Sequence, residues 1–237
     1  MARMPGAIWH PVRNFTKGGQ DSVRGVVVHI MAGTLEGSQS WFNNPVAQAS
    51  SHFGTGKAGA LRQWVDTADR AWAQAAGNRT WLSVENEGQG GDTLTDEQLD
   101  DNAAVLAWAH KEYDVPLRLA TGPGDRGLGY HAMGGSEWGG HTSCPGARIV
   151  AQLPDIVARA KKLVAGPTKE DTMPTPLDVW AYRNKAQDTA AKKKTGKGIP
   201  DAYGYLQQVA ADSTALRTEV AALRKDIATL TGLIKKG

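Results

Sequence analysis

The sequence predicts an α/β fold, a mixed β-sheet flanked by helices, and three observations carry that reading. Val26-Val27-Val28 is a β-branched run suited to a buried strand. Thr95-Asp96-Glu97-Gln98 matches a capping box, in which a threonine and a glutamine three residues on satisfy each other's backbone amides and open a helix. Short strand-like segments are interleaved with helical ones along most of the chain.

Taken in order, residues 1–22 carry Pro5, Pro11 and Gly18-Gly19 and read as irregular structure lying against the domain. Val23–His29 is the first strand. Ser38–Asn43 suits a short helix, stopped before Pro45. His52-Phe53 and Leu61–Val65 form successive strands around the GTGKAG turn. Trp81–Glu87 follows, with Trp81, Ser83, Glu85 and Glu87 on one face and Leu82, Val84 and Asn86 on the other. The capping box opens a helix reaching about Tyr113, with Leu99, Ala103, Leu106, Ala107 and His110 at helical spacing. A last helix runs from about Ala147 toward Val164, broken near Pro154.

The 237 residues allow one medium domain plus an appendage, and 41% hydrophobic content with 28 glycines fits a globular body rich in turns. The net charge is +3. Residues 167–237 hold 12 basic against 8 acidic residues, or +4, and the rest holds 15 against 16, or −1. This mild, spread excess argues against nucleic acid as a partner. A single cysteine rules out an internal disulfide. The first fifteen residues contain no apolar core of signal-peptide length, which predicts synthesis in the cytoplasm without a leader. No stretch has the length of a membrane span, so membrane insertion is not expected.

Residues 167–205 read as a linker followed by a basic, aromatic segment. Residues 206–237 carry a heptad pattern. Leu206, Ser213, Val220, Ile227 and Ile234 take the a positions, and Val209, Leu216, Leu223 and Leu230 take d. β-Branched residues at a with leucine at d favour a parallel two-stranded coil, and Glu219 at g would face Arg224 at e of a second copy. A homodimer through residues 206–237 is the expectation. A single amphipathic helix lying on the main domain is its alternative.

Chemistry concentrates in two separated segments, VVVHIMAG around His29 and GYHAMGGSEWGGHTSCPG around His131, His141 and Cys144. Two imidazoles and a thiolate can hold zinc and leave a fourth position for water, the arrangement of a catalytic site. On spacing alone, His131 and His141 both qualify as the second histidine.

The segments VVVHIMAG, SSHF, LSVENEG, Gly129-Tyr130-His131 and Cys144-Pro145-Gly146 occur in the order seen in type 2 N-acetylmuramoyl-L-alanine amidases. Over roughly residues 20–165 the chain resembles that family, which includes amidase-type phage lysozymes and peptidoglycan-recognition proteins. The resemblance implies a central mixed sheet with a zinc at the edge of a groove. It implies His29, His131 and Cys144 as metal ligands and Glu85 as the catalytic carboxylate, with Glu87 as fallback. Thr142, two residues before the cysteine, matches a Lys or Thr that assists catalysis in relatives. That match selects His131 as the ligand and leaves His141 near the substrate. The 13 residues from His131 to Cys144 exceed the usual spacing. Ser51 stands where many relatives carry a tyrosine. His52 either packs in the core, the preferred reading, or lines the site as a substrate contact, and Trp138 is the candidate for stacking on a glycan ring or guiding the stem peptide. The function so implied is a zinc peptidoglycan amidase over residues 1–166, in the manner of a phage endolysin that is released to the wall. A non-catalytic peptidoglycan-binding module and a virion tail protein are the alternatives.

Overall fold

A computed structural model of the chain describes residues 2–166 and 202–234. The expected linker and most of the basic aromatic segment fall in 167–201, outside the described residues. The chain divides into two compact units, Met1–Pro167 and Thr168–Gly237.

In the first unit six strands form one sheet: β1 (Ile8–Trp9), β2 (Gly25–Ile30), β3 (Phe53–Thr55), β4 (Leu61–Gln63), β5 (Trp81–Asn86) and β6 (Gly127–Tyr130). Their order is β1-β4-β3-β5-β2-β6. Only β3 and β4 pair antiparallel, across the GTGKAG turn; every other pairing is parallel. β2 and β5 lie at the centre, and parallel central strands are covered on both faces. The valine run of β2 is accordingly fully buried, as is Trp81–Val84 of β5.

Helix α2 (Asp96–Tyr113) starts at the reciprocal Thr95–Gln98 capping box. It packs with α4 (Leu153–Ala165) on the sheet face that carries Val26, Val28, Leu82, Val84 and Leu128. The expected break near Pro154 is present, with a short α3 (Ala147–Val150) ending before α4 begins. The opposite face is covered by α1 (Leu35–Asn43), capped by Thr34, and by a 3-10 segment over His131–Trp138. Leu35 and Phe42 of α1 pack on Trp64 and Val65, while Trp138 packs on Trp81 and Val27.

Two strands escaped the sequence reading. β1 is a two-residue edge element in the stretch expected to be irregular, too short to show an alternation. β6 is the glycine-rich Gly127-Leu128-Gly129-Tyr130, whose composition argues against a strand. Gly127 is required there, because its φ is +137° and a Cβ would stand 2.3 Å from the Arg118 carbonyl oxygen. The second unit contains α5 (Ala202–Ile234), a 33-residue helix that begins four residues before the heptad pattern. Among the described residues no helix is long and apolar enough to cross a membrane.

Candidate active site

The site stands at the C-terminal end of the central strands. Register places His29 of β2 directly beside Glu85 of β5, so both side chains leave the same sheet face. His29 Nδ1 lies 3.8 Å from Glu85 Oε1. β6 pairs with β2 as far as Val28–Tyr130, which sets His131 at the other flank of His29. Their ring centroids are 4.5 Å apart.

Cys144 arrives from a distant part of the loop. The Ala132 amide donates to the Cys144 carbonyl at 2.9 Å, tying the start of the loop to its end. Cys144 Sγ then lies 3.8 Å from His29 Nδ1, and a cis peptide bond joins Cys144 to Pro145. The ligand atoms of His29, His131 and Cys144 all fall within 4.8 Å of one another. The long His131–Cys144 spacing is therefore absorbed by the 3-10 segment, and the two ends still meet.

Both imidazoles are aimed by hydrogen bonds on their far nitrogens. His29 Nε2 donates to Gln74 Oε1 at 3.1 Å, and Gln74 Nε2 in turn donates to the Trp81 carbonyl. His131 Nε2 donates to the Trp138 carbonyl at 2.9 Å. With the proton on Nε2, each ring turns an Nδ1 lone pair toward the thiol. The His29 carbonyl is also held, by Asn86 Nδ2 at 2.8 Å. Asn86 itself accepts from Thr55 and Asn102, so a buried amide chain braces the strand end.

Electrostatics here favour a cation. Burial, then His131, hold His29 well below its ordinary pKa, and burial lowers His131 as well. Both rings are neutral and have lone pairs to give. Burial and the neighbouring Glu85 push the Cys144 thiol up to about 12, and burial pushes Glu85 up to about 8. Glu85 Oε2 is buried without a hydrogen-bond partner. Two neutral imidazoles, a thiol and a partnerless carboxyl oxygen form a donor set lacking its positive charge. Zinc fits it in ligand type.

The remaining expected residues divide. His141 is exposed, with its ring centroid 4.8 Å from that of His131. Thr142 is exposed in the turn before Cys144. Glu87 accepts from the Lys57 amide and braces the β3–β4 turn. Ser51 donates to the Phe53 carbonyl and Ser83 inside the protein.

Two of the candidate substrate contacts lie inside the protein. His52 is fully buried; its Nδ1 accepts from the Ser83 amide and its Nε2 bonds the Asp69 carbonyl. Burial lowers its pKa to about 4, so it is a neutral structural bridge. Trp138 is 2% exposed. A Cβ on Gly134 would stand 2.0 Å from this indole, and one on Gly77 would stand 2.7 Å away. These two glycines form the slot that takes the ring inward, against Trp81 at 5.5 Å. Instead of stacking on a sugar, Trp138 anchors the loop and lends its carbonyl to His131.

Among the described residues, the aromatic that does stand open is Trp41, 54% exposed on α1. It lines a groove of about 380 Å³ with Met31, Gly33, Thr34, Phe42 and Glu85. The seven-residue spacing of Leu35 and Phe42, the buried side chains of α1, leaves Trp41 off the packed stripe; that was the signal available in the sequence.

A mixed sheet that brings two imidazoles, a thiol and a carboxyl to one strand end defines a class, the proteins with a site able to hold a metal ion there. The particular family follows from comparison: the family model for N-acetylmuramoyl-L-alanine amidase matches residues 19–147 of the 237, and the chain belongs to that family. Over 90 residues it is 36% identical to N-acetylmuramoyl-L-alanine amidase A of Achromobacter lyticus, a stretch covering 36% of this chain and 50% of the relative. The chain thus matches about half the length of that curated protein. Among solved structures it resembles the Staphylococcus aureus hydrolase AmiA, determined in complex with its ligand. The TM-score is 0.53 at 18% identity, covering 67% of this chain and 84% of AmiA. The PlyG catalytic domain gives a TM-score of 0.50 at 19% identity, covering 68% and 99%. At these identities the likeness is one of fold.

Proposed function

We propose that the chain is a zinc-dependent peptidoglycan amidase. It cuts the amide between the lactyl group of N-acetylmuramic acid and the L-alanine of the stem peptide, and it serves as a phage endolysin. The observation that carries this reading is the meeting of His29, His131 and Cys144 beside the partnerless Glu85 carboxyl. A binding module needs neither a complete donor set nor a buried carboxyl beside it.

His29 and His131 through Nδ1, with Cys144 through Sγ, would hold the ion. Zinc supplies Lewis-acid polarisation of a carbonyl and acidifies water. Glu85 takes the proton from the attacking water and hands it to the departing alanine nitrogen. Burial raises the affinity of this carboxyl for a proton, which suits a group that must pick one up before passing it on. Thr142, exposed beside the cluster, offers a hydroxyl to the developing oxyanion. His141 and Trp41 flank the opening, where an imidazole and a flat apolar ring meet the sugar and the stem peptide. The action is on the wall after release from the host cytoplasm.

The test is to incubate Gram-positive sacculi with the protein, with and without a chelator, and to follow new amino termini and new reducing ends. Chelator-sensitive release of N-terminal alanine without reducing sugars is the expected outcome. Reducing ends alone would sink the amidase reading. His131→Ala should lose both zinc and activity, whereas His141→Ala should keep its zinc; the reverse pattern would overturn the ligand assignment.

A further inference from the structure

The second unit presents a feature that amide hydrolysis does not use. Leu206, Val209, Leu216, Val220, Leu223 and Ile227 are between 42 and 64% exposed on α5. With Ser213 between Val209 and Leu216, they recur in steps of three and four, so they form one stripe along a helix about 50 Å long. A helix of this kind draws most of its stability from a partner packed on its apolar face.

Charge identifies the partner. In the register set by that stripe, Asp212 and Glu219 take g positions, and Arg217 and Arg224 take the e positions five residues on. In a parallel pair of identical helices, g faces e of the following heptad. Asp212 would then meet Arg217 of the second copy, and Glu219 would meet Arg224, each pair formed twice by symmetry. An antiparallel pair sets g against g and e against e, so acid would face acid and base would face base. One charge pattern therefore favours one orientation and penalises the other. From Leu216 to Ile227, leucine at d alternates with β-branched Val220 and Ile227 at a, the packing that suits two parallel strands. Ser213 is the single polar residue among the a positions and penalises shifted registers, which would bury it against an apolar side chain.

We infer that α5 associates with α5 of a second copy as a parallel, in-register, two-stranded coiled coil, making the protein a homodimer. Linking two N-terminal units in one molecule raises avidity for any repetitive polymer they bind. The inference rests on the helix alone, and a mass measurement tests it without reference to catalysis.

Sedimentation equilibrium of the full chain between about 1 and 100 μM is expected to approach twice the monomer mass of 25.2 kDa, with a Kd on the order of micromolar. Asp212→Arg with Glu219→Arg leaves the apolar stripe intact. It should weaken association at least tenfold with unchanged helical circular dichroism. Adding Arg217→Glu and Arg224→Glu should restore it to within about threefold. Ser213→Cys should form a disulfide with its own counterpart, since an antiparallel pair centred on Val220 would hold the two residues about 20 Å apart along the axis. A monomer throughout the concentration range overturns the inference, whether the stripe is bare or covered by another part of the same chain. A trimer or tetramer, or charge reversal without effect, overturns it equally.

Discussion

On one face of the central sheet Val26, Val28, Leu82, Val84 and Leu128 meet α2 and α4 almost entirely through carbon, with Asn86 and Asn102 as a buried polar pair between them. On the other face Val27 and Trp81 share the surface with His29, Ser83 and Glu85. There the packing is done by Trp138 in its glycine slot and by hydrogen bonds that aim each ring. The same two strands supply both faces, yet the first stores stability and the second stores position. Side-chain alternation along β2 and β5 makes this division possible, because neighbouring residues serve opposite layers.

The comparison can be broken most directly on the polar face. Cys144→Ser should abolish zinc binding, measured by metal analysis of purified protein, and lower amidase turnover by at least about a thousandfold. The melting temperature of the metal-free protein should move little; a large fall would mean that this face also carries the fold.

Leu106→Ala probes the other layer, since Leu106 of α2 is fully buried in the apolar cluster. The expected cost is about 2–5 kcal/mol, or roughly 5–15 °C in melting temperature, with turnover per folded molecule unchanged. Loss of turnover without loss of stability would contradict the division of labour.

Gln74→Ala sits at the boundary between the two roles. It frees the His29 ring and should weaken zinc affinity by about 10–100-fold, read by competition with a chelating dye. Gln74→Glu keeps an acceptor for His29 and should recover most of that loss. If both variants lose affinity equally, Gln74 acts through packing alone.

The smallest effect is expected at Asp101 of α2, whose Oδ2 is buried without a partner. Burial, then Asp100 and Glu97, raise its pKa to about 6. A carboxyl raised on folding costs nothing below its ordinary pKa of 3.8 and destabilises the fold increasingly as pH climbs to about 6. Asp101→Asn should therefore raise the melting temperature by up to about 2 °C at pH 7 and change nothing near pH 3.5. Equal gains at both pH values would show that the carboxyl charge is irrelevant.

Much of this was legible in the sequence wherever a local pattern carries the information. The valine run, the capping box, the alternation along β5 and the break at Pro154 each depend on residues within a few positions of one another. β6 was missed because half of its residues are glycine, and Gly127 is there for close approach to the Arg118 backbone, which leaves no periodic trace. Trp138 turned out buried for the same kind of reason. Whether an indole points inward depends on a slot made by Gly77 and Gly134, one of them 61 positions away in the chain.

By itself, then, the sequence determined the central strands and the helices, the residue kinds of the candidate site and the resemblance that orders them. Only the tertiary structure decided which atoms meet. The pairing of β2 with β5 fixes His29 beside Glu85, the Ala132–Cys144 hydrogen bond returns the thiol to the site, and the Gln74 and Trp138 oxygens choose which nitrogen each imidazole presents. These are relations between distant segments, set by sheet register and hydrogen-bond direction, and no local pattern encodes them.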